Sequence, residues 1–165
     1  MSLTIKVLFV CLGNICRSPT AHGVFVQKVR AAGLASRITV DSAGTAAYHL
    51  GKAPDSRSQL AAKQGGYDLS ELRARQVVKE DFLEFDYVLA MDEQNLKELR
   101  VLHQSVVGDA RCAPQLFLAM LQDSGRPSEV PDPYYGGADG FVEVLQLCED
   151  AADALLRHIR AQHNL

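Results

Sequence analysis

A cysteine and an arginine near the start of the chain are the residues best placed to do chemistry. Between Cys11 and Arg17 lie Gly13 and Asn14, the two residue types that most readily adopt unusual backbone angles. Backbone N–H groups in such a loop, together with the dipole of a following helix, bind a dianionic tetrahedral group. The planar guanidinium of Arg17 can hold two of its oxygens. The spacing therefore predicts a pocket for a phosphate group.

The thiol of Cys11 is expected at the base of that pocket. The loop amides and the guanidinium of Arg17 favour the thiolate form near neutral pH, and the thiolate is the nucleophile. A nucleophile aimed at the floor of a phosphate pocket indicates covalent phosphoryl transfer. The alternative is a buried structural cysteine in an ordinary βα turn, which the Cys-x5-Arg spacing alone would favour.

The flanking segments strengthen the phosphate-pocket interpretation. The β-branched and aromatic residues from Ile5 to Val10 predict a short buried strand that stops at Cys11. Ser18 and Pro19 indicate a helix start, because a hydroxyl can cap open amides and proline loses no hydrogen bond in the first turn. Cys11 therefore lies at the carboxyl end of the first strand, where parallel sheets bind ligands.

The rest of the chain alternates strands with helices, which predicts an α/β fold with a parallel sheet covered on both faces. A long final helix is expected to carry one apolar face, from Phe141 to Ile159. Ser42 and Asp92 also follow strand ends, so both are candidates for the border of the site, and Asp92 should cap a helix. Further strands are expected over residues 37–42, 85–91 and 105–108, and a helix over residues 113–121.

Composition bounds the function as well as the fold. A chain of 165 residues, 47% hydrophobic and 22% charged, is expected to form one globular domain. Its net charge of −3 argues against nucleic acid as a partner. We expect neither a signal peptide nor membrane insertion, since no apolar run is long enough. The four cysteines lack metal-site spacing, which favours no zinc site, no disulfide framework and a reducing, cytoplasmic compartment.

Several blocks of the sequence resemble the low-molecular-weight protein tyrosine phosphatases. Residues 11–19, Cys-Leu-Gly-Asn-Ile-Cys-Arg-Ser-Pro, are similar to the signature of that family. Other blocks similar to the family follow in the same order over residues 41–45, 79–82, 85–93 and 132–136. The resemblance implies a single domain over residues 1–165 with a three-layer αβα fold. It also implies a four-stranded parallel sheet in the order 2-1-3-4, with the phosphatase P-loop after strand 1.

The resemblance implies hydrolysis of protein phosphotyrosine through a cysteinyl-phosphate intermediate, with inorganic phosphate as product. Cys11 is then the nucleophile, Arg17 the phosphate clamp, and Asp132 the general acid and later the base; without the resemblance Asp132 would be a turn aspartate between two prolines. No metal or other cofactor is expected, because Arg17 and the loop amides can stabilise the transferring oxygens. The implied partners are phosphotyrosine-containing proteins, and a bacterial tyrosine kinase is a candidate among them.

The resemblance also assigns residues around the phosphate and the substrate ring. Ser18 is implied to donate a hydrogen bond to Cys11, and Asn14 to hold the loop in a strained conformation with help from Ser42. The phosphate is expected to lie against Leu12, Gly13, Asn14, Ile15, Cys16 and Ser18, and the aromatic walls to be Tyr48, Tyr134 and Tyr135. Animal members carry a histidine where Leu72 stands, so this chain lacks one part of the family's support network.

The remaining cysteines and histidines have less definite expectations. Cys16 is either a small apolar filler or, as the family implies, a resolving thiol that traps oxidised Cys11 as a reversible disulfide. Cys112 and Cys148 are expected to be packing residues. The histidines, His22 and His49 among them, have no partner that spacing reveals and are assigned to structure or solvent.

Three other functions are consistent with a phosphate loop. A thiol-dependent arsenate reductase shares the fold but needs a relayed redox cysteine pair, and Cys112 and Cys148 are far apart in sequence. A protein arginine phosphatase is a sister activity whose members place threonine where Ile15 stands and lack the second tyrosine, Tyr135. An inert phosphate-binding module is disfavoured by the intact Cys11 and Asp132.

Overall fold

The computed structural model describes residues 3–121 and 125–165. Strands and helices alternate along most of the chain, as the sequence predicts. A five-residue 3-10 helix, Phe117–Leu121, follows the last strand. The strands and α-helices are, in chain order, β1 (Ile5–Cys11), α1 (Arg17–Ala31), β2 (Ile38–Gly44), α2 (Ser56–Gln64), α3 (Asp81–Glu84), β3 (Tyr87–Ala90), α4 (Glu93–Gln104), β4 (Gln115–Leu116) and α5 (Ala138–His163).

The strands form one parallel sheet in the order β2-β1-β3-β4, which confirms the predicted fold class. β1 occupies the interior of the sheet because almost all of its residues are apolar and can be buried on both faces. Its last residue, Cys11, pairs with Gly44 at the carboxyl end of β2. The nucleophile candidate is therefore fixed at the edge where the strands end.

Two layers of helices cover the sheet, and the side chains of β1 alternate between them. Val7 and Phe9 pack into the larger core with α1 and α5, whereas Leu8 and Val10 face the smaller core beneath α4. The ring of Phe9 makes edge contacts with the rings of Phe25 and Phe117, at centroid distances of 5.8 Å and 4.9 Å. Close packing on both faces leaves β1 and its terminal cysteine little freedom to move.

The final helix matches the apolar face that the sequence predicts. In α5, the residues spaced for one face are buried: Phe141, Val144, Leu145, Cys148, Ala152, Leu155 and Ile159. Although α5 is the longest helix, no helix within residues 3–121 and 125–165 is both long and apolar enough to cross a membrane.

The fourth strand is where the sequence prediction is wrong. Residues 105–108 form turns after α4, and the valine at 106 packs against the smaller core from there. The strand is instead β4, whose two residues lie within the segment predicted to be helical. A two-residue edge strand is too short to show an alternating pattern, which explains why the valine pair was the stronger signal.

Candidate active site

The phosphate-binding loop predicted from the sequence lies between β1 and α1. We call residues 11–17 the P-loop. Asn14, at its middle, has a backbone φ of 57°, in the left-handed region that few residues with a side chain adopt. The helix that follows begins at Arg17, and its N-cap residue, Cys16, makes no side-chain capping bond. The first-turn amides of α1 are therefore not capped by a side chain, which suits an anion-binding site.

The sulfur of Cys11 lies on the floor of the P-loop with polar neighbours on two sides. Its Sγ is 3.0 Å from the hydroxyl of Ser18, and the backbone N–H of Asn14 donates a hydrogen bond to it at 3.3 Å. Cys11 is only 2% exposed. Because one neighbour is an N–H donor and the other an orientable O–H, the surroundings suit a negatively charged sulfur.

Ser18 does not cap the helix, contrary to the sequence prediction. It lies inside the first turn of α1 and is completely buried. Its hydroxyl accepts a hydrogen bond from Asn14 Nδ2 at 2.8 Å and lies near two acceptors, Cys11 Sγ and the carbonyl of Ala43 at 3.3 Å. Its single proton can therefore be donated to the sulfur or to the carbonyl, and the sulfur is the nearer partner.

Asn14 is held by residues other than Ser42. Its amide group donates to Ser18, and its Oδ1 accepts a hydrogen bond from the backbone N–H of Arg75 at 3.0 Å. The hydroxyl of Ser42 instead pairs with Nδ1 of His22 at 3.0 Å. The implied partnership of Asn14 with Ser42 is thus replaced by one with Arg75, and His22 has a definite partner.

Arg17 connects the P-loop to two other segments. Nη1 of Arg17 donates to Asp92 at 2.6 Å and to the carbonyl of Val130 at 3.1 Å. Nη2 of Arg17 lies 3.6 Å from a carboxylate oxygen of Asp132. Burial alone would lower the pKa of Arg17, but the negative charges of Cys11, Asp92 and Asp132 raise it. The guanidinium is therefore positively charged and oriented when a phosphate arrives.

Asp132 lies on the loop that precedes α5. The backbone N–H of Tyr134 donates to its Oδ1 at 3.1 Å, and its side chain is 40% exposed. The loop is bound to the residue that follows β3, because the backbone N–H of Val130 donates to the carbonyl of Met91 at 2.8 Å. Asp132 is thus held beside Arg17 while it keeps contact with solvent.

One cavity of about 310 Å³ brings most of the sequence-predicted residues together. Of the predicted set, Asn14, Ser18 and Ser42 do not line it, and all three are buried. The cavity also includes a residue that the sequence did not suggest, His49. It is lined by Cys11, Leu12, Gly13, Ile15, Cys16, Arg17, Tyr48, His49, Asp132, Tyr134 and Tyr135.

Comparison with known proteins identifies the family. The sequence profile described as low molecular weight phosphotyrosine protein phosphatase matches residues 6–165. The chain belongs to this family. The human low molecular weight phosphotyrosine protein phosphatase is 42% identical to it over 153 residues, which cover 93% of this chain and 94% of the human one.

Solved structures agree with that membership. A protein tyrosine phosphatase from Entamoeba histolytica, with Hepes in its active site, has a TM-score of 0.83 and 36% identity over 98% of this chain and 99% of that one. The Drosophila arginine phosphatase has a TM-score of 0.88 and 32% identity, with 94% and 98% covered. This chain is a protein-tyrosine-phosphatase, a hydrolase of phosphoric monoesters.

Aromatic side chains form a rim around the active-site cavity of this phosphatase. His49 belongs to this rim, although the sequence predicted only a structural or solvent-exposed role for it. Its ring lies between those of Tyr48 and Tyr134, at centroid distances of 6.5 Å and 6.3 Å. A Cβ on Gly13 would be 2.9 Å from the imidazole, so the absence of a side chain at Gly13 lets His49 lie against the P-loop. The signal in the sequence was its position directly after Tyr48.

Tyr134 and Tyr135 have different surroundings. Tyr134 contacts His49 and lies beneath the guanidinium of Arg57, 5.5 Å from the ring centroid. Tyr135 is 94% exposed, and its ring contacts that of Tyr134 at 4.9 Å. Tyr134 therefore forms a fixed part of the wall, while Tyr135 projects into solvent at its edge.

Cys16 lies in the same cavity as Cys11, and both thiols are free. Burial raises the pKa of Cys16 to about 12, so at neutral pH it is a protonated thiol. Its resolving role stays a prediction, and the high pKa makes its attack on an oxidised Cys11 slow near pH 7.

Two charged residues of the phosphatase site were missed or underrated from sequence. Asp92 was expected to cap a helix, and it does so by accepting the N–H of Asn95 at 2.8 Å, but its second oxygen also binds Arg17. Arg75, which binds Asn14, was not among the residues predicted from the sequence. Both contacts join residues more than 60 positions apart, and spacing carries no signal over that distance.

Proposed function

We propose that the phosphatase hydrolyses phosphotyrosine in proteins through a phosphorylated Cys11. The thiolate of Cys11 attacks phosphorus, an S–P bond forms, and the P–O bond to the tyrosine ring breaks. Arg17 and the amides of the P-loop bind the equatorial oxygens, whose charge they stabilise in the transition state without help from a metal.

Asp132 serves as the proton donor in that first step. Its carboxyl group gives its proton to the phenolate oxygen as the P–O bond breaks, which makes tyrosine a better leaving group. In the second step the resulting carboxylate takes a proton from water, the water oxygen attacks phosphorus, and the S–P bond breaks. Cys11 returns as a thiolate, Asp132 is protonated again, and inorganic phosphate leaves.

The observation that carries this proposal is the shared cavity of Cys11, Arg17 and Asp132. A nucleophile lies at its floor, a cation at its side, and a partly exposed carboxylate at its edge, 3.6 Å from that cation. The rim rings of Tyr48 and Tyr134 suit a flat aryl group such as the ring of phosphotyrosine.

The proposal is tested by trapping the intermediate. D132A should slow both steps, so rapid acid quenching during turnover of a phosphotyrosine peptide should yield a phosphoryl group on the peptide that contains Cys11, detected by mass spectrometry. Turnover with no phosphoryl group at Cys11 at any quench time would contradict the covalent mechanism.

Substrate class is tested by comparing peptides that carry phosphotyrosine, phosphoserine or phosphoarginine, and arsenate with a thiol reductant. We expect the highest kcat/KM for phosphotyrosine and no arsenate reduction. A higher kcat/KM for phosphoarginine would contradict our assignment and match the activity in the name of the Drosophila neighbour.

We further propose that one domain over residues 1–165 carries this activity in a reducing cytoplasm. Four free cysteines, two of them in the active-site cavity, support a reducing compartment. Phosphotyrosine-containing proteins are its partners, and a bacterial tyrosine kinase is the candidate to test first, by dephosphorylation of the purified kinase.

A further inference from the structure

The segment around Arg75 lies directly behind the P-loop. The carbonyl of Arg75 accepts the N–H of Gly44, and the N–H of Val77 bonds the carbonyl of Gly44, both at 2.8 Å. This extends the sheet beyond β2, next to the strand end that pairs with Cys11. A Cβ on Gly44 would lie 2.7 Å from the carbonyl oxygen of Leu12, so the end of β2, to which this segment is bonded, lies close against the P-loop.

One backbone N–H of this segment reaches the centre of the P-loop. The N–H of Arg75 donates to Oδ1 of Asn14 at 3.0 Å. Asn14 is 2% exposed and has the left-handed φ of 57°, and its own N–H donates to Cys11 Sγ. A left-handed residue with a side chain persists only where its surroundings hold it. The contact with Arg75 is one of two that hold the Asn14 side chain, Ser18 being the other.

The side chain of Arg75 in turn fixes its own backbone to two separate elements. Its Nε donates to Asp41 on β2 at 3.0 Å, and its two Nη groups donate to the two oxygens of Asp81 on α3, each at 3.1 Å. Asp81 is buried, and it also accepts the N–H of Val78 at 2.9 Å. A planar guanidinium that binds two carboxylates is fixed in orientation, and together with the backbone bond from Gly44 it limits how far the backbone N–H of Arg75 can move.

We propose that Arg75 is a positioning residue for catalysis. Through its ion pairs with Asp41 and Asp81 it holds its N–H against Asn14, and Asn14 thereby keeps its own N–H directed at the sulfur of Cys11. This inference rests on the proposed role of the P-loop and adds a residue far from the substrate to it. It also explains how the loop is supported in a chain that carries Leu72 and in which Ser42 pairs with His22.

The first test is R75M, which removes both ion pairs and keeps the backbone. We expect kcat for 4-nitrophenyl phosphate to fall about ten-fold and inorganic phosphate to bind several-fold more weakly, because small displacements of reacting groups are costly. R75K should recover part of the loss. The matched control is R111M, since Arg111 also pairs with an aspartate, Asp86, at the opposite end of the sheet. A merely structural role would lower Tm in both variants and leave kcat and phosphate affinity unchanged.

The deciding test is a double-mutant cycle with N14G, since glycine tolerates the left-handed φ and removes the amide that Arg75 contacts. If Arg75 acts through Asn14, R75M should cost no more than about two-fold in kcat in the N14G background. An equal ten-fold loss in both backgrounds would overturn the proposal.

If R75M does not fold, the same cycle can be made with D41N, which removes the ion pair between Arg75 and the half-exposed Asp41. We expect D41N to lower kcat less than R75M does, and we expect this loss to disappear in the N14G background. A D41N loss that is unchanged by N14G would overturn the proposal. Failure of the covalent mechanism is recognised separately, because C11S would then retain turnover whatever the outcome of the cycle.

Discussion

The floor and the rim of the active site are built in opposite ways. The floor residues are buried and held by hydrogen bonds; they are Cys11, Asn14, Arg17 and Ser18. Cys11, Asn14 and Ser18 are bonded to one another, and Arg17 is bonded to Asp92 and Val130 from other segments of the chain. The rim residues lie on loops, are partly or largely exposed and meet mainly through ring contacts; they are Tyr48, His49, Asp132, Tyr134 and Tyr135.

This difference separates two tasks that the reaction requires. A nucleophile must be held in one ionised, oriented state, which buried hydrogen bonds achieve. A protein substrate must enter and leave, which exposed side chains on loops allow. Changes in the floor should therefore affect both catalysis and stability, whereas changes in the rim should affect catalysis or binding alone.

The largest expected effect comes from C11S in the floor. Without a thiolate, turnover of an aryl phosphate should fall to background, while inorganic phosphate still binds because Arg17 and the loop amides remain. Calorimetric titration with phosphate and a turnover assay measure the two separately. Retained turnover would refute covalent catalysis by Cys11.

D132A removes the proton donor from the rim. We expect kcat/KM for a phosphotyrosine peptide, which reports the first step alone, to fall by about 10²- to 10⁴-fold, the range that general acid catalysis supplies. A substrate with a good leaving group, such as 4-nitrophenyl phosphate, should lose much less, and Tm should change little because the side chain is 40% exposed. Equal losses for both substrates would disprove the assignment of Asp132 as acid.

D92N tests whether an ion pair to a floor residue, Arg17, affects both phosphate binding and stability. Asparagine caps a helix as well as aspartate does, so the change isolates the ion pair with the buried Arg17. We expect a loss of about 1.5–3 kcal/mol in the free energy of unfolding, the range for a hydrogen bond to a charged group, together with weaker phosphate binding.

The matched control is D55N, because Asp55 caps α2 and pairs with the exposed Arg57. Its loss of stability, from urea unfolding, should be the smaller of the two. Equal losses would show that burial of the arginine does not matter.

The rate at which the predicted disulfide between Cys11 and Cys16 forms should depend on pH. Because burial raises the pKa of Cys16 to about 12, its thiolate fraction grows about ten-fold per pH unit below that value. After mild peroxide, the disulfide should therefore form faster at pH 9 than at pH 7, and C16S should recover less activity on reduction. Equal recovery of C16S and the unmodified chain would remove Cys16 from the resolving role.

The smallest expected effects lie at the outer rim. Y134A should raise KM for a phosphotyrosine peptide by about 2- to 10-fold, the equivalent of one aromatic contact, because Tyr134 packs against His49 and Arg57. Y135A should raise it less, since that ring is largely in solvent. A larger effect of Y135A would show that the peptide orders Tyr135 on binding.

The parts of the fold that the sequence predicted are those with strong local patterns. The run from Ile5 to Val10 and the apolar face of α5 each bury a continuous set of side chains, so their periodicity is clear. The cysteine and arginine of the P-loop were recognisable because they are six residues apart on one local turn.

What the sequence did not reveal depends on contacts between distant segments. The pairing of Arg17 with Asp92, the position of His49 over Gly13 and the support of Asn14 by Arg75 all arise only when the sheet brings loops together. Ser18 was predicted both to cap the helix, because serine before proline is typical of a cap, and, through the resemblance, to bond to Cys11; the structure shows the contact with Cys11 but no cap.

The central claim is that the floor binds the phosphoryl group directly above the sulfur of Cys11. A crystal structure with vanadate, which mimics phosphorus in transfer, tests this most directly. We predict a vanadium atom bonded to Cys11 Sγ, with its equatorial oxygens bound by Arg17 and the P-loop amides and an apical oxygen facing Asp132. Vanadate bound elsewhere, with no bond to that sulfur, would contradict the account.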